Sequence, residues 1–447
     1  MKSDLLLARL TRLLGVTVCC TFASQGAFSQ EAVDPALQWQ PKGPSVELRA
    51  GAAYSDNVTK SDAGQQGDTI ASAGIGLDYN RVGSRLEVKA LADIDWVEYL
   101  HDSYDAQAMG YFDGSASLKL VEDSFVWDVR ETFGQLTSDP LLAETPDNTE
   151  NLNYFSTGPR LNLRLGDRLR LSLYGAYSLV DYEVLQADND QVSGGLELAH
   201  PLSDTSAVSL NVTGSSVNFD DAVLNSDYDM QSAFLRYEVK GRRTSFDADA
   251  GYSQIKENGE TSDGVLLKVG GSRRLSPSTN FFLRLRQQFS NAGNLFRDGL
   301  TQGNPTGQNT TSGISSADVF KERGAGMGFS FERARTQMGI GGDWSKEEYE
   351  EQTAFDRRVL TIDAYLLRHV RPSVTVQLIA RYESERYENT GFDDDRLELG
   401  VLLQWQLASK FGVDLRYDYG DRSAPLFGGD FSENRYSIRF AYRPLGN

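Results

Sequence analysis

The feature that most constrains this chain is a two-residue period of hydrophobicity held over long runs. Leu86, Val88, Ala90, Ala92, Ile94 and Trp96 alternate with Glu87, Lys89, Asp93 and Asp95, and segments 169–179, 281–289, 397–407 and 411–419 repeat the pattern. A period of two puts one set of side chains on each face of a strand. Strands in soluble sandwiches average about 5–6 residues. These runs cover 9 to 11 residues, enough for a tilted strand to cross a bilayer. No apolar run after residue 30 approaches the roughly 18 residues of a membrane helix. The chain therefore reads as all-β, a transmembrane antiparallel up-and-down β-barrel of about twenty strands, within a range of 16–22.

The predicted strands start near residues 45, 69, 85, 105, 125, 153, 168, 191, 205, 230, 244, 264, 279, 319, 336, 357, 374, 396, 411 and 435. Short turns (80–84, 121–124, 166–167, 201–204, 240–243, 272–278, 332–335, 371–373, 408–410) alternate with mostly long loops. The long set is 55–68, 134–152, 181–190, 220–229, 256–263, 291–318, 346–356, 384–395 and 420–434, with 101–104 the short exception. Outer-membrane barrels keep short turns in the periplasm and long loops outside. The turns carry a formal charge of +5 and the loops −28, so the outward end is strongly acidic. Net charge −19 argues against nucleic acid as a partner.

Residues 1–29 read as a cleaved signal peptide: Lys2, Arg9 and Arg12, an apolar stretch, then Ala27-Phe28-Ser29. Both cysteines, Cys19 and Cys20, fall within it. The expected mature chain has no thiol, hence no disulfide and no cysteine-ligated metal. Residues 30–44 read as a periplasmic lead-in and 45–447 as the barrel. Export to the outer membrane of a Gram-negative bacterium follows. There the lipid and lipopolysaccharide surround the barrel, and the aromatic final strand (Tyr436, Ile438, Phe440, Tyr442) is of the kind presented to barrel assembly machinery.

If the apolar face meets lipid, the other face lines a lumen. It carries Arg160, Arg164, Arg170, Arg284, Arg286, Arg381, Glu383, Arg396, Glu398, Gln404, Asp414, Arg416, Asp418 and Arg439. Mixed charges of this kind either keep an interior wet or cross-link it, and they would set selectivity without covalent chemistry. Tyr111, Tyr174 and Tyr365, also inward, are candidates for stacking on sugar rings. Asp393, Asp394 and Asp395 form an oxygen-rich run that suits a hard cation such as calcium; the plainer reading is solvated loop charge. No cofactor is expected, and no G-x-S-x-G, H-E-x-x-H or Walker pattern occurs. His101, Asp102 and Ser103 are the one cluster with hydrolase chemistry, but neighbours on a strand end point to opposite faces. The chain is not expected to be an enzyme.

The stretch RETFGQLTSDPLLAETPDNTENLNYFSTGPRLNLRLGDRLRLSLYGAYSLVDYE (130–183), with PSVELRAGAAYSDNV (44–58), resembles the outer-membrane β-barrel proteins associated with PEP-CTERM/exosortase and exopolysaccharide gene clusters. The resemblance implies an outer-membrane barrel linked to extracellular polysaccharide or surface-polymer export. It also implies polysaccharide, or its periplasmic export proteins, as partners. Residues and resemblance together predict a passive porin-like conduit whose mouth is gated by loops 134–152 and 291–318. A non-conducting scaffold that anchors polysaccharide or a partner protein is the alternative; an outer-membrane lipid hydrolase ranks third.

Overall fold

The computed structural model describes residues 45–122, 124–139, 141–166, 168–221, 224–291, 316–424 and 429–444. The expected signal peptide, the lead-in and most of loop 291–318 lie outside them. Twenty strands form one closed antiparallel sheet. In chain order they are β1 (Ser45–Ser55), β2 (Asp68–Val82), β3 (Leu86–Tyr99), β4 (Gln107–Val121), β5 (Phe125–Thr137), β6 (Thr149–Leu165), β7 (Leu169–Tyr182), β8 (Asn189–Ser203), β9 (Ser206–Phe219) and β10 (Tyr228–Lys240). The second half comprises β11 (Thr244–Glu257), β12 (Glu260–Ser276), β13 (Thr279–Ser290), β14 (Phe320–Arg333), β15 (Thr336–Tyr349), β16 (Arg357–Arg371), β17 (Val374–Tyr387), β18 (Asp393–Ala408), β19 (Phe411–Ser423) and β20 (Phe431–Tyr442). Each strand pairs with its sequence neighbours, and β1 closes on β20 from Leu48↔Tyr442 to Ser55↔Arg435. Closure leaves no unpaired edge, as a sheet immersed in hydrocarbon requires.

The observed starts fall within four residues of those expected. The largest differences lie at the loop ends of β6, β12 and β20, where strands run into predicted loops. Above the bilayer boundary the outward face no longer has to be apolar. Ser384 to Tyr387, for example, has no apolar side, so the end of a real strand looks like a loop. The predicted loop 256–263 contracts to the turn Asn258-Gly259, with φ of +50° and +83°. Asn-Gly is the pair that adopts this left-handed geometry in a two-residue hairpin.

Outward positions carry the apolar set: Leu173, Leu235, Ile340, Leu378, Val401 and Leu415 are among the exposed large hydrophobics. Tyr54, Trp96, Tyr177, Trp344 and Tyr436 mark an aromatic girdle toward the loops, and Trp127, Tyr237, Trp405 and Phe440 another toward the turns. Paired girdles flanking an apolar band mark a barrel that spans a membrane. The buried residues instead face inward, concentrated in the loop half of the lumen.

Candidate functional site: the lumen and its mouth

Register places every predicted lumen residue on the inner face. Arg160 lies opposite Tyr174, Arg381 opposite Glu398, and Gln404 opposite Asp414, itself opposite Arg439. Many of these charges are joined. Arg160 Nη2 meets Asp128 Oδ2 at 2.5 Å, Arg381 Nη2 meets Glu383 at 2.6 Å, and Arg416 Nε meets Asp418 at 2.8 Å. Arg286 bonds Glu322 and forms a fork with Asp343 at 2.7 and 2.9 Å. This fork needs the glycines of β14: a Cβ on Gly324 would lie 2.5 Å from the Arg286 guanidinium carbon.

The sequence reading missed the deepest of these groups. Arg357, 1 % exposed, bridges Glu347 at 2.8 Å and Glu385 at 3.0 Å. Arg422 and Arg396 share the buried Asp394, each at 2.8 Å. Arg49 pairs with Asp93 at 2.5 Å, and Arg236 with Asp249 at 2.7 Å. The signal was available: continuing the two-residue count past the apolar runs sets these residues on the inner face.

An aromatic collar was also missed. Tyr99, Tyr182, Phe219, Tyr349 and Tyr387 each end a strand at the loop side and point inward, buried. With Leu152, Val180, Val217, Phe320 and Phe392 they form apolar clusters around the inside of the mouth. Four loops return through the same device, an aspartate just before the next strand that accepts a strand-end amide. Asp188 takes Tyr182 N–H at 2.6 Å, Asp227 takes Phe219 at 2.8 Å, Asp356 takes Tyr349 at 2.8 Å and Asp430 takes Ala424 at 2.6 Å.

Two segments turn into this mouth. The β5–β6 connection, 138–148, is braced by Asn148, which bonds the backbone of Asp139 and Ala143. From there it crosses to the far wall. Arg396 Nη1 on β18 holds the Glu144 carboxylate at 2.6 Å, Arg422 on β19 donates to the Leu141 carbonyl at 3.3 Å, and Lys60 donates to the Glu144 carbonyl at 2.7 Å. Leu141 packs against the buried cluster of Phe320, Tyr349, Tyr387, Phe392 and Ala424. Burial alone would raise the Glu144 pKa; the field of Arg396, Lys60, Arg381 and Arg422 outweighs it and holds the carboxyl below its ordinary value. The second segment is the β13–β14 connection. Its described ends also enter the lumen: Asn291 donates to Tyr228 on β10 at 2.5 Å, and Ser316 and Ala317 line a small cavity with Val180, Tyr182 and Phe219.

The turn half is more open, with Arg164, Arg170 and Arg284 exposed. Tyr174, 42 % exposed, and Tyr365 lie along the wall over Gly195 and Gly339; Tyr111 sits opposite Asp93.

The three consecutive aspartates do not converge, which corrects the calcium candidate. They belong to β18 rather than a loop, so Asp394 turns inward to Arg396 and Arg422 while Asp393 and Asp395 turn outward to Arg386. Among the described residues no cluster of His, Asp or Glu suits a metal. His101 pairs with Asp68 at 2.8 Å, and Asp68 also accepts the amides of Thr69, His101 and Ser103. A nucleophile relay needs the hydroxyl on the imidazole's other nitrogen. Here Ser103 and His101 share one carboxylate that orders their loop.

A closed barrel with an apolar outer belt, two aromatic girdles and a charged interior is an outer-membrane β-barrel protein. No family model and no curated protein matches the chain. Among solved structures it is similar to the siderophore receptor PirA from Pseudomonas aeruginosa (11 % identity, TM-score 0.45, 90 % of this chain and 80 % of that one). It is also similar to OpdQ of the same organism (11 %, TM-score 0.36, 90 % and 99 %) and to OmpT, an outer membrane protein of Vibrio cholerae, in a loop-deletion form (12 %, TM-score 0.34, 90 % and 98 %).

Proposed function

We propose that this barrel is a passive conduit for polar solutes, with saccharides as the substrate class, and that its outer mouth is gated. The observation that carries the reading is the way the mouth is closed. The β5–β6 connection folds inward and hangs on side-chain latches, and the described ends of the β13–β14 connection enter the lumen beside it, above a turn-side half that stays charged and exposed. A latch of Glu144 on Arg396 and Lys60 can be released without unfolding the wall. The inward Tyr111, Tyr174 and Tyr365 and the resemblance of residues 130–183 support a saccharide cargo and a place in polymer export, reached through the cleaved signal 1–29. Lumen charges would sort solutes by field rather than by chemistry, consistent with a non-enzymatic protein.

Single-channel conductance of the refolded barrel in a planar bilayer tests this, with and without residues 292–315 and with Glu144→Ala. The expected result is rare or small openings in the intact protein and large stable steps when Glu144 is replaced or 292–315 is deleted. Added oligosaccharide should then shorten the openings. Silence in all forms overturns the conduit and favours a non-conducting surface scaffold.

A further inference from the structure

The outward face near the loops carries a charge pattern that the conduit does not use. Arg323 on β14 lies directly opposite Lys346 on β15, Lys346 opposite Arg358 on β16, and Arg358 opposite Arg386 on β17. Four cations thus stand side by side across four strands. Their orientation is fixed by parity: Arg357 and Glu347 are buried inside, so Arg358 and Lys346 point out. At about 4.8 Å between strands the row spans about 14 Å. Directly below it the outward residues are Trp344 and Leu360, opposite one another and part of the apolar belt. The row therefore sits where hydrocarbon gives way to headgroups.

Like charges directly opposite each other destabilise a sheet. Part of the repulsion is met from above, since Glu348 reaches Lys346 at 2.9 Å and Arg323 at 3.4 Å, and Glu388 reaches Arg358 at 2.6 Å and Lys346 at 3.1 Å. Arg386 leans on Asp395 at 2.6 Å. The side chains of Arg323, Arg358 and Arg386 remain 43 %, 57 % and 41 % exposed. The rest of the rim has the opposite character. Glu98, Asp181, Asp190, Asp229, Asp263 and Asp421 face outward near the loops of other strands, and among the described residues Lys256 is the one cation with them.

We propose that the wall formed by β14–β17 binds the phosphate groups of the outer-leaflet glycolipid, the phosphorylated lipid A portion of lipopolysaccharide. Arginine forks and a lysine at headgroup depth match phosphate oxygens in charge and geometry. The acidic remainder of the rim repels the same headgroups, so the lipid is held on one side of the barrel, beside the strands whose inner faces carry Arg357, Arg396 and Arg422.

The test uses the refolded full-length barrel in detergent micelles, with lipid bound per barrel read by native mass spectrometry. The probes are bisphosphorylated lipid A, its dephosphorylated counterpart and inorganic phosphate. Lipid A is expected to bind about tenfold or more tighter than the dephosphorylated form. Arg323→Gln, Lys346→Gln, Arg358→Gln and Arg386→Gln combined should abolish that difference. Arg358→Gln alone should reduce it severalfold in a barrel whose heat-modifiable gel mobility verifies folding, and Lys256→Gln should leave it unchanged. Equal binding of the two lipids, unchanged binding in the combined variant, or full displacement by millimolar inorganic phosphate would each overturn the proposal. None of these readouts depends on whether the lumen conducts.

Discussion

At the scale of single residues, the inside of the mouth is built from charges that only their neighbours make tolerable. Arg357 is enclosed with Glu347 and Glu385, whose side chains are 7 % and 3 % exposed. Removing one partner of a buried pair leaves the others uncompensated, at a cost of about 3–5 kcal/mol, whereas removing all of them together can be nearly neutral. Arg357→Leu should therefore lower the barrel's stability by about that amount in a urea titration from lipid vesicles. Adding Glu347→Gln and Glu385→Gln to Arg357→Leu should restore most of it. A single-variant loss under about 1 kcal/mol would mean that water enters this layer. Gly324 tests the neighbouring layer by shape instead. Val in its place meets the Arg286 guanidinium, so Gly324→Val should unseat the Glu322–Asp343 fork and cost about 1–3 kcal/mol, as overpacking does.

At the scale of elements, the loop ends are secured by a repeated local bond rather than by long-range packing. Asp356 accepts the Tyr349 amide and also the Asn389 side chain. A hydrogen bond to a charged acceptor contributes about 1.5–3 kcal/mol. Asp356→Ala should speed amide exchange at Tyr349 and proteolysis within 350–356, with the global unfolding midpoint little changed; an unaltered exchange rate at Tyr349 would refute the clamp. The same elements show what could be read from the sequence. Within the bilayer the two faces of a strand meet different solvents, so Leu397 to Leu407 and Arg396 to Gln406 sort themselves, and all twenty strands and the inner set from Arg160 to Arg439 were legible. Above it both faces meet polar surroundings. The pattern of Ser384 to Tyr387 then carries no contrast, which hid Glu385, as the same lack of contrast hid Arg422, and made Asp393–Asp395 look like a loop. The collar tyrosines were hidden for the opposite reason: apolar residues on the inner face break the rule that inward means polar. The inward strap, the β5–β6 connection 138–148, was expected as part of a gating loop, 134–152, but its anchorage was not. That Glu144 reaches Arg396, 252 positions later, depends on barrel closure, which no local pattern encodes.

At the scale of the whole molecule, the mouth is a surface on which opposite walls are tied through one loop segment, whose one side-chain carboxylate in that tie is Glu144. Glu144 sits among Arg396, Lys60, Arg381 and Arg422, with Glu383 and Glu398 as the nearby carboxylates that oppose it. Its pKa in the folded barrel lies below the ordinary value of 4.5. A carboxylate depressed in this way contributes stability that is complete above the ordinary value and is lost as pH falls through the folded one. The strap should therefore stay latched from neutral pH down to the mid-4s and loosen below that. In a bilayer, lowering the pH of the loop-side chamber alone should increase open probability over this window, while the turn-side chamber should have little influence. Glu144→Gln keeps the side chain's size and removes its titration, so it should open more often at neutral pH and lose most of the acid response. If the variant keeps the same acid response as the parent, the opening is set by another carboxylate.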